Sequence, residues 1–452
     1  MATAPVHSPV YPSPARAWWL IAILFLASVV SVIDRGILSI IVDPVKADLS
    51  LSDIHISLLQ GLAFGLFYAT VGLPLGLTAD RTSRRRLIII GVSVWSLATI
   101  GGGLAQSFAP LFVSRLLVGL GEAALAPAAI SLIADLFPPD RRGRPISIFL
   151  IGQAIANGLA ITVTSFIVSA AAGGAFEGVP LLGQLPPWRI AFVCCGAMGV
   201  FVVLGMLTTQ EPPRHTARPV TGVGLQIRNN IAYLSRNRGL FIPLYLGFAL
   251  CFLAAYAAGA WAPSMLMRGF GATSGQIGKW LGPLSMLFAV VGPTTGGLLV
   301  DRYARRGNHM AKLAILVIAP LCVIPSALAV FAPGLPSAVI LVASSGAVFA
   351  VIGTTMFALL QVIVPPDMRG VAVALTGLVN TILGASLGPL AVATLTEHLF
   401  GDPAKVGYAI LLVVIPALVA GCLLFWIARH ALLAQVASGG ETARLMDDKA
   451  AC

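Results

Sequence analysis

Two short strings decide how this chain is read: GLTADRTSRRR, Gly76–Arg86, and GLLVDRYARRG, Gly297–Gly307. Each sets a glycine, an Asp-Arg pair and two further arginines in one register, at an offset of 221 residues. A second pair follows, PPDRRG from Pro138 and PPDMRG from Pro365, at an offset of 227. Two independent matches at nearly one offset mark a duplication. Each copy lies in a polar break between long apolar runs, so the duplicated unit is a set of membrane-crossing segments.

Composition agrees. Of 452 residues, 58% are hydrophobic and 10% charged, against about 25% charged in ordinary globular domains. A crossing helix needs ~20 mostly apolar residues. Twelve such runs are predicted, near 18–42, 54–79, 87–106, 110–136, 145–171, 188–207, 240–266, 277–300, 311–331, 337–364, 371–396 and 406–430. The expected fold is an all-α polytopic membrane protein of twelve transmembrane helices. It divides into a tail (1–17), a six-helix bundle (18–207), a central loop (208–239), a second six-helix bundle (240–430) and a tail (431–452). Parallel repetition of six spans relates the bundles by a pseudo-two-fold axis along the membrane normal, which suits alternating access.

The net charge of +11 does not call for a nucleic-acid partner, because the basic residues sit in short loops. With both termini cytoplasmic, 21 of the 28 Lys and Arg fall on the inner side, five fall outside, and Arg35 and Arg115 lie within spans. That asymmetry predicts orientation in the cell (inner) membrane. The Pro-rich start MATAPVHSPVYPSPAR runs directly into the first span and is not read as a cleavable leader. The six cysteines show no pairing or metal-ligand spacing. No metal, cofactor or second subunit is expected; a monomer is.

Four charges stand within the spans: Asp34, Arg35, Arg115 and Glu122. Each costs at least ~2.5 kcal/mol at the bilayer centre, and such residues mark pathways more often than packing. Arg115 and Glu122 are two turns apart and share a face, so contact between spans 1 and 4 gathers two acids and two bases. Desolvation raises a carboxylate pKa and a nearby Arg lowers it; those opposed effects suit a proton-coupling role for Glu122 and Asp34. Arg35 and Arg115 are candidate binders of an anionic substrate, with Gln60, Gln153, Asn157 and Asn380 as uncharged candidates. The bland alternative is an inert buried pair, Asp34 with Arg115. Arg35 points about 100° away from Asp34, so its direction stays open.

In the loops, Asp80 with Arg81, Arg84 and Arg85, and Asp301 with Arg302 and Arg305, form a candidate cytoplasmic gate. Which arginine meets Asp80 stays open, and the arginines also serve as topology signals.

G-x-x-x-D-R-x-x-R-R resembles the loop 2–3 signature of the major facilitator superfamily, in both copies and over residues 17 to 430. Ser83 and Ala304 stand where that family usually has glycine. SVIDRGILSII with SRLLVGLGEAALAPAAISLIADLFPP, Ser114–Pro139, resembles its Spinster branch. The family resemblance implies that the loop motif works as a latch. The branch resemblance implies a lysolipid-like or sphingoid-phosphate-like substrate. The expectation is therefore a secondary active transporter, proton-coupled, for an amphipathic anion. The alternative is a carrier of a small organic anion such as an aromatic or sugar acid. An intramembrane enzyme is disfavoured, because all six histidines lie in tails or near span ends and no HExxH occurs. No P-loop appears to drive transport with ATP.

Overall fold

The computed structural model describes residues 11–214, 232–306, 310–365 and 368–437; side chains at 69, 73, 76, 77 and 79–81 lie outside that description. The described residues are helical, without a strand. Among them, twelve helices are long and apolar enough to cross a membrane: α1 (Pro14–Ile40), α2 (Asp53–Gly72), α3 (Arg84–Gly103), α4 (Phe108–Leu136), α5 (Pro139–Ala172), α6 (Pro187–Leu207), α7 (Arg238–Phe270), α8 (Ser274–Ala304), α9 (Ala311–Phe331), α10 (Leu335–Ile363), α11 (Arg369–Phe400) and α12 (Pro403–Ala437). They stand where the apolar runs predict. The helix that carries α2 continues to Arg81.

Local chemistry sets the ends. Ser52 and Thr273 close capping boxes with His55 and Gln276 at the starts of α2 and α8, each satisfying backbone donors that a helix start leaves free. α7 and α11 stop at Gly271 and Gly401, with φ of 65° and 61°, a region that suits glycine. An even number of crossings puts both described ends on one face, here called the terminal face; the opposite face is distal.

α1 to α6 form one bundle and α7 to α12 the other. They meet through small residues in the distal half of the spans. Gly158 of α5 lies against the Gly282 carbonyl of α8, and Ser169 meets Ser274 at 3.3 Å. Gly61 and Gly65 of α2 lie against Ala385 and Ser386 of α11. Absent side chains let backbones approach where lipid supplies no hydrophobic drive. Toward the terminal face the bundles diverge, and Thr70, Pro74, Thr294 and Leu378 are exposed. The space between the halves opens on that face.

Candidate functional site

Asp34 and Arg35 are neighbours on α1, and the ~100° between them sends them to different places. Asp34 is fully buried and accepts from Thr99 Oγ1 of α3 at 3.3 Å. Arg35 turns into the space between the halves. Its Nε donates to Glu122 Oε2 at 2.5 Å, and 36% of its side chain stays exposed. The guanidinium lies over Phe64 (4.5 Å) and Tyr68 (5.1 Å) of α2 and within electrostatic reach of Tyr256 on α7.

Glu122 owes its place to its sequence neighbours. Gly119 lies on the backbone of Phe64, and Gly121 on Gly91 and Trp95, so α4 sits tightly against α2 and α3. Directly after Glu122 the helix loosens over Ala123–Ala124 before resuming at Leu125. Pro127 explains this: it lacks the N–H that would bond the Ala123 carbonyl. The carboxylate is buried, and Ser31, one turn before Arg35, also donates to its Oε2 at 2.8 Å.

Arg115 is buried and donates through Nη2 to the backbone carbonyls of Asp34 (3.1 Å) and Arg35 (3.3 Å). The Asp34–Arg115 ion pair of the bland alternative is not formed; the ion pair at this site is Arg35–Glu122. Asp34 Oδ1, Glu122 Oε1 and Arg115 Nε and Nη1 have no protein partner. A buried group so left costs ~1–3 kcal/mol, more when charged. The cluster is therefore under-satisfied, as a site that exchanges a proton or meets an anion would be.

The uncharged candidates divide. Gln60 sits in a π-helical turn, Leu58–Leu62, and Asn380 opens another, Asn380–Ser386. Both have buried amide atoms without a partner; π-turns of this kind recur at functional sites. The two turns meet across the halves at Gly61. On α5, Gln153 is half-buried and Asn157 exposed. Across from Arg35, α7 presents Tyr256, about two-fifths exposed; Phe357 of α10 is equally exposed and, like Phe252, packs on Phe248, while Trp261 and Phe349 are core instead.

The gate candidates lie at the terminal face. Side chains of Asp80 and Arg81 lie outside the described ones. Arg84 is buried within its own half. It pairs with Asp135 of α4 and with Glu211 after α6 (3.1 Å), and donates to the Ser131 and Pro212 carbonyls at 3.2 Å. Arg85 donates to the carbonyls of Met206 and Leu207. Burial pushes the Glu211 carboxyl up, but bonds from Ser83 and Arg84 outweigh it and hold the group below the usual carboxylate range. Asp301, Arg302 and Arg305 are exposed and form no ion pair among the described residues. Among the described side chains, no candidate of this group joins the two halves in this conformation.

The halves are tied at the distal face by residues that the sequence reading did not single out. Arg268 of α7 grips Asp43 (2.7 Å) and Asp53 (3.0 Å) of the first half, and Lys46 meets Asp53 at 2.5 Å. Glu397 of α11 accepts from the Ile54 amide at 3.0 Å. Ser31 also went unmarked, although its place four residues before Arg35 was a usable signal. The sequence reading also counted no G-x-S-x-G string, yet one occurs, Gly384–Gly388. Its Ser386 lies in the second π-turn and donates to the Thr381 carbonyl, not on the strand-to-helix elbow that a nucleophile of this motif needs.

Known proteins agree with this fold. The model of the Major Facilitator Superfamily matches residues 24–389. An MFS-type efflux pump of Mycolicibacterium smegmatis is 30% identical, over 92% of this chain and 93% of its own. The hexuronate transporter of Bacillus subtilis is 25% identical over 78% of this chain and 81% of its own. Among solved structures, a bacterial homolog of the human lysosomal transporter Spinster, inward-facing and occupied, is 25% identical. It superposes with a TM-score of 0.75 over 93% of this chain and 97% of that one. The chain belongs to the Major Facilitator Superfamily, a family of transporters rather than enzymes, and within it resembles the Spinster branch.

Proposed function

We propose that this protein is a proton-coupled secondary transporter of an amphipathic anion, with Glu122 as the coupling carboxylate and Arg35 as the group that meets the substrate. The observation that carries this reading is the 2.5 Å pair between a buried Glu122 and an Arg35 that remains one-third exposed toward the space between the halves. A cation held by a single carboxylate faces competition when a substrate anion enters that space. If the anion draws Arg35 off, Glu122 loses its main counter-charge in a low-dielectric site, and desolvation then favours its protonation. Proton and anion are thereby linked through one guanidinium. Asp34 and Arg115 stand one layer deeper and set the charge balance of the cluster. The aromatic rings of Tyr256, Phe252 and Phe357 in the second half suit an apolar body on the substrate, hence a lysolipid-like or sphingoid-phosphate-like molecule. The basic terminal face is assigned to the cytoplasm, which makes the described conformation inward-open, with Arg268 holding the outer side shut.

The similarity to a hexuronate transporter favours a second reading, a small sugar-acid anion, on the same charged wall.

One experiment tests both. Proteoliposomes are loaded with a panel of lysophospholipids and sugar acids, with and without an imposed pH gradient, for wild type and Glu122→Gln. The expected result is gradient-driven accumulation of one class in wild type and at least a tenfold loss in the variant, with exchange retained. Undiminished accumulation in the variant removes Glu122 from the coupling role.

A further inference from the structure

On the flank of the second half, away from the space between the halves, α8, α9, α10 and α12 enclose a groove of about 500 Å³. Leu299, Ala314, Ile315, Ile318, Ala347 and Val351 form its walls. The small side chains of Ala314 and Ala347 leave room beside a seam where Gly292 and Gly296 draw α8 onto α10. Leu299 and Ile318 are 40% and 58% exposed at the depth of the spans, so the groove opens to lipid. At its terminal end stand Tyr303, Met310 and Arg429.

Arg429 is the informative residue. It is half-buried and forms no hydrogen bond or ion pair among the described residues. It lies 21 residues beyond the exposed Tyr408 on α12, about 32 Å at ~1.5 Å per residue. That is just past a hydrocarbon slab of ~30 Å. Exposed Trp426, edge-on to His430 at 4.3 Å, marks the same level, where amphipathic rings collect. The exposed Arg302, Arg305 and Arg306 close the same end of α8, with Asp301 the only acid in that turn.

We propose that this groove binds one anionic phospholipid, its acyl chain along the apolar walls and its phosphate on Arg429. In a bilayer the apolar walls cannot choose among lipids, since tails are as apolar as the side chains they touch. Selection falls to the cation, and a planar guanidinium matches phosphate oxygens in pairs. Basic pockets between helices on the positive side of a membrane protein bind anionic head groups on this principle.

The test counts lipids retained on the purified full-length chain by native mass spectrometry, from nanodiscs of phosphatidylglycerol with phosphatidylcholine. Wild type should keep one phosphatidylglycerol in at least about fivefold preference. Arg429→Gln should bring the two lipids to parity. Ala314→Phe, which fills the groove, should lower retention of both, and Arg305→Gln should change nothing. Preference kept in Arg429→Gln, or absent from wild type, overturns the proposal. A reading that needs no variant uses Cys322, which lines the groove and is exposed. Its alkylation, mapped by peptide, should slow severalfold in phosphatidylglycerol discs relative to phosphatidylcholine discs; equal rates contradict the site.

Discussion

Arg84 and Arg305 hold the same position in two copies of one string, yet their surroundings are opposite. Arg84 is buried, pinned between Asp135 on α4 and Glu211 beyond α6. Arg305 is exposed, and among the described residues its side chain bonds only the Asp301 carbonyl of its own turn, at 3.4 Å. The reason lies in partners outside the repeated string. Three residues before PPD the first half has Asp135; three before the second PPD stands Val362. A duplicated loop thus became a structural anchor where an acid met it and a surface cation where, among the described residues, none did. The same asymmetry runs through the spans: Asp34, Arg35, Arg115 and Glu122 all belong to the first half, and Tyr256 of the second stands across from Arg35.

That contrast can be broken most sharply by removing both arginines in turn. Arg84→Ala breaks the buried pair with Asp135, which costs ~3–5 kcal/mol, whereas Arg305→Ala should fall within about 0.5 kcal/mol of wild type. Unfolding in detergent measures both, and equal losses would mean that burial does not distinguish the copies. Next in size is the distal tie. Arg268→Gln leaves Asp53 buried with Lys46 alone, and truncating such a pair costs about 2 kcal/mol or more. The closed-to-open ratio at the distal face should drop about thirtyfold, read by spin-label distances between that face of α1 and α7. An unchanged distance distribution would leave the ion pairs as decoration.

The smallest effect comes from Glu211. Its carboxyl is held low in the folded chain, so its contribution is fully present above the unfolded value of ~4.3. It fades as pH falls through the lower folded value. Wild type should exceed Glu211→Gln by about 1 kcal/mol at neutral pH, and the two should converge only in acid below the lowered folded value. A gap that persists there would assign the effect to hydrogen-bond shape rather than charge.

The twelve spans were legible because hydropathy and length nearly determine them in lipid. Collection of the four charges was legible too, since two turns separate Arg115 from Glu122 and span 1 supplies the rest. Which cation met Glu122 was not, because the choice turns on how α1 and α4 are each rotated: α1 by its seat on α5, with Gly36 on Ala160 and Gly152 on Ser28, and α4 by its seat on α2 and α3 at Gly119 and Gly121. The distal tie was hidden for another reason. Asp43, Asp53 and Arg268 lie in loop-like polar breaks, 215 or more residues apart, and periodicity says nothing of such pairs. A repeat also misleads when the partners of a motif are not repeated with it, as Arg305 illustrates.

The linkage of proton to anion through Arg35 and Glu122 is tested most directly by proton uptake in weakly buffered detergent. The panel substrate that wild type transports is added to wild type, Glu122→Gln and Asp34→Asn, and the pH of the medium is followed. Substrate-dependent proton uptake by wild type, lost in Glu122→Gln and reduced in Asp34→Asn, is the predicted result. A proton signal of full size in Glu122→Gln would contradict the account.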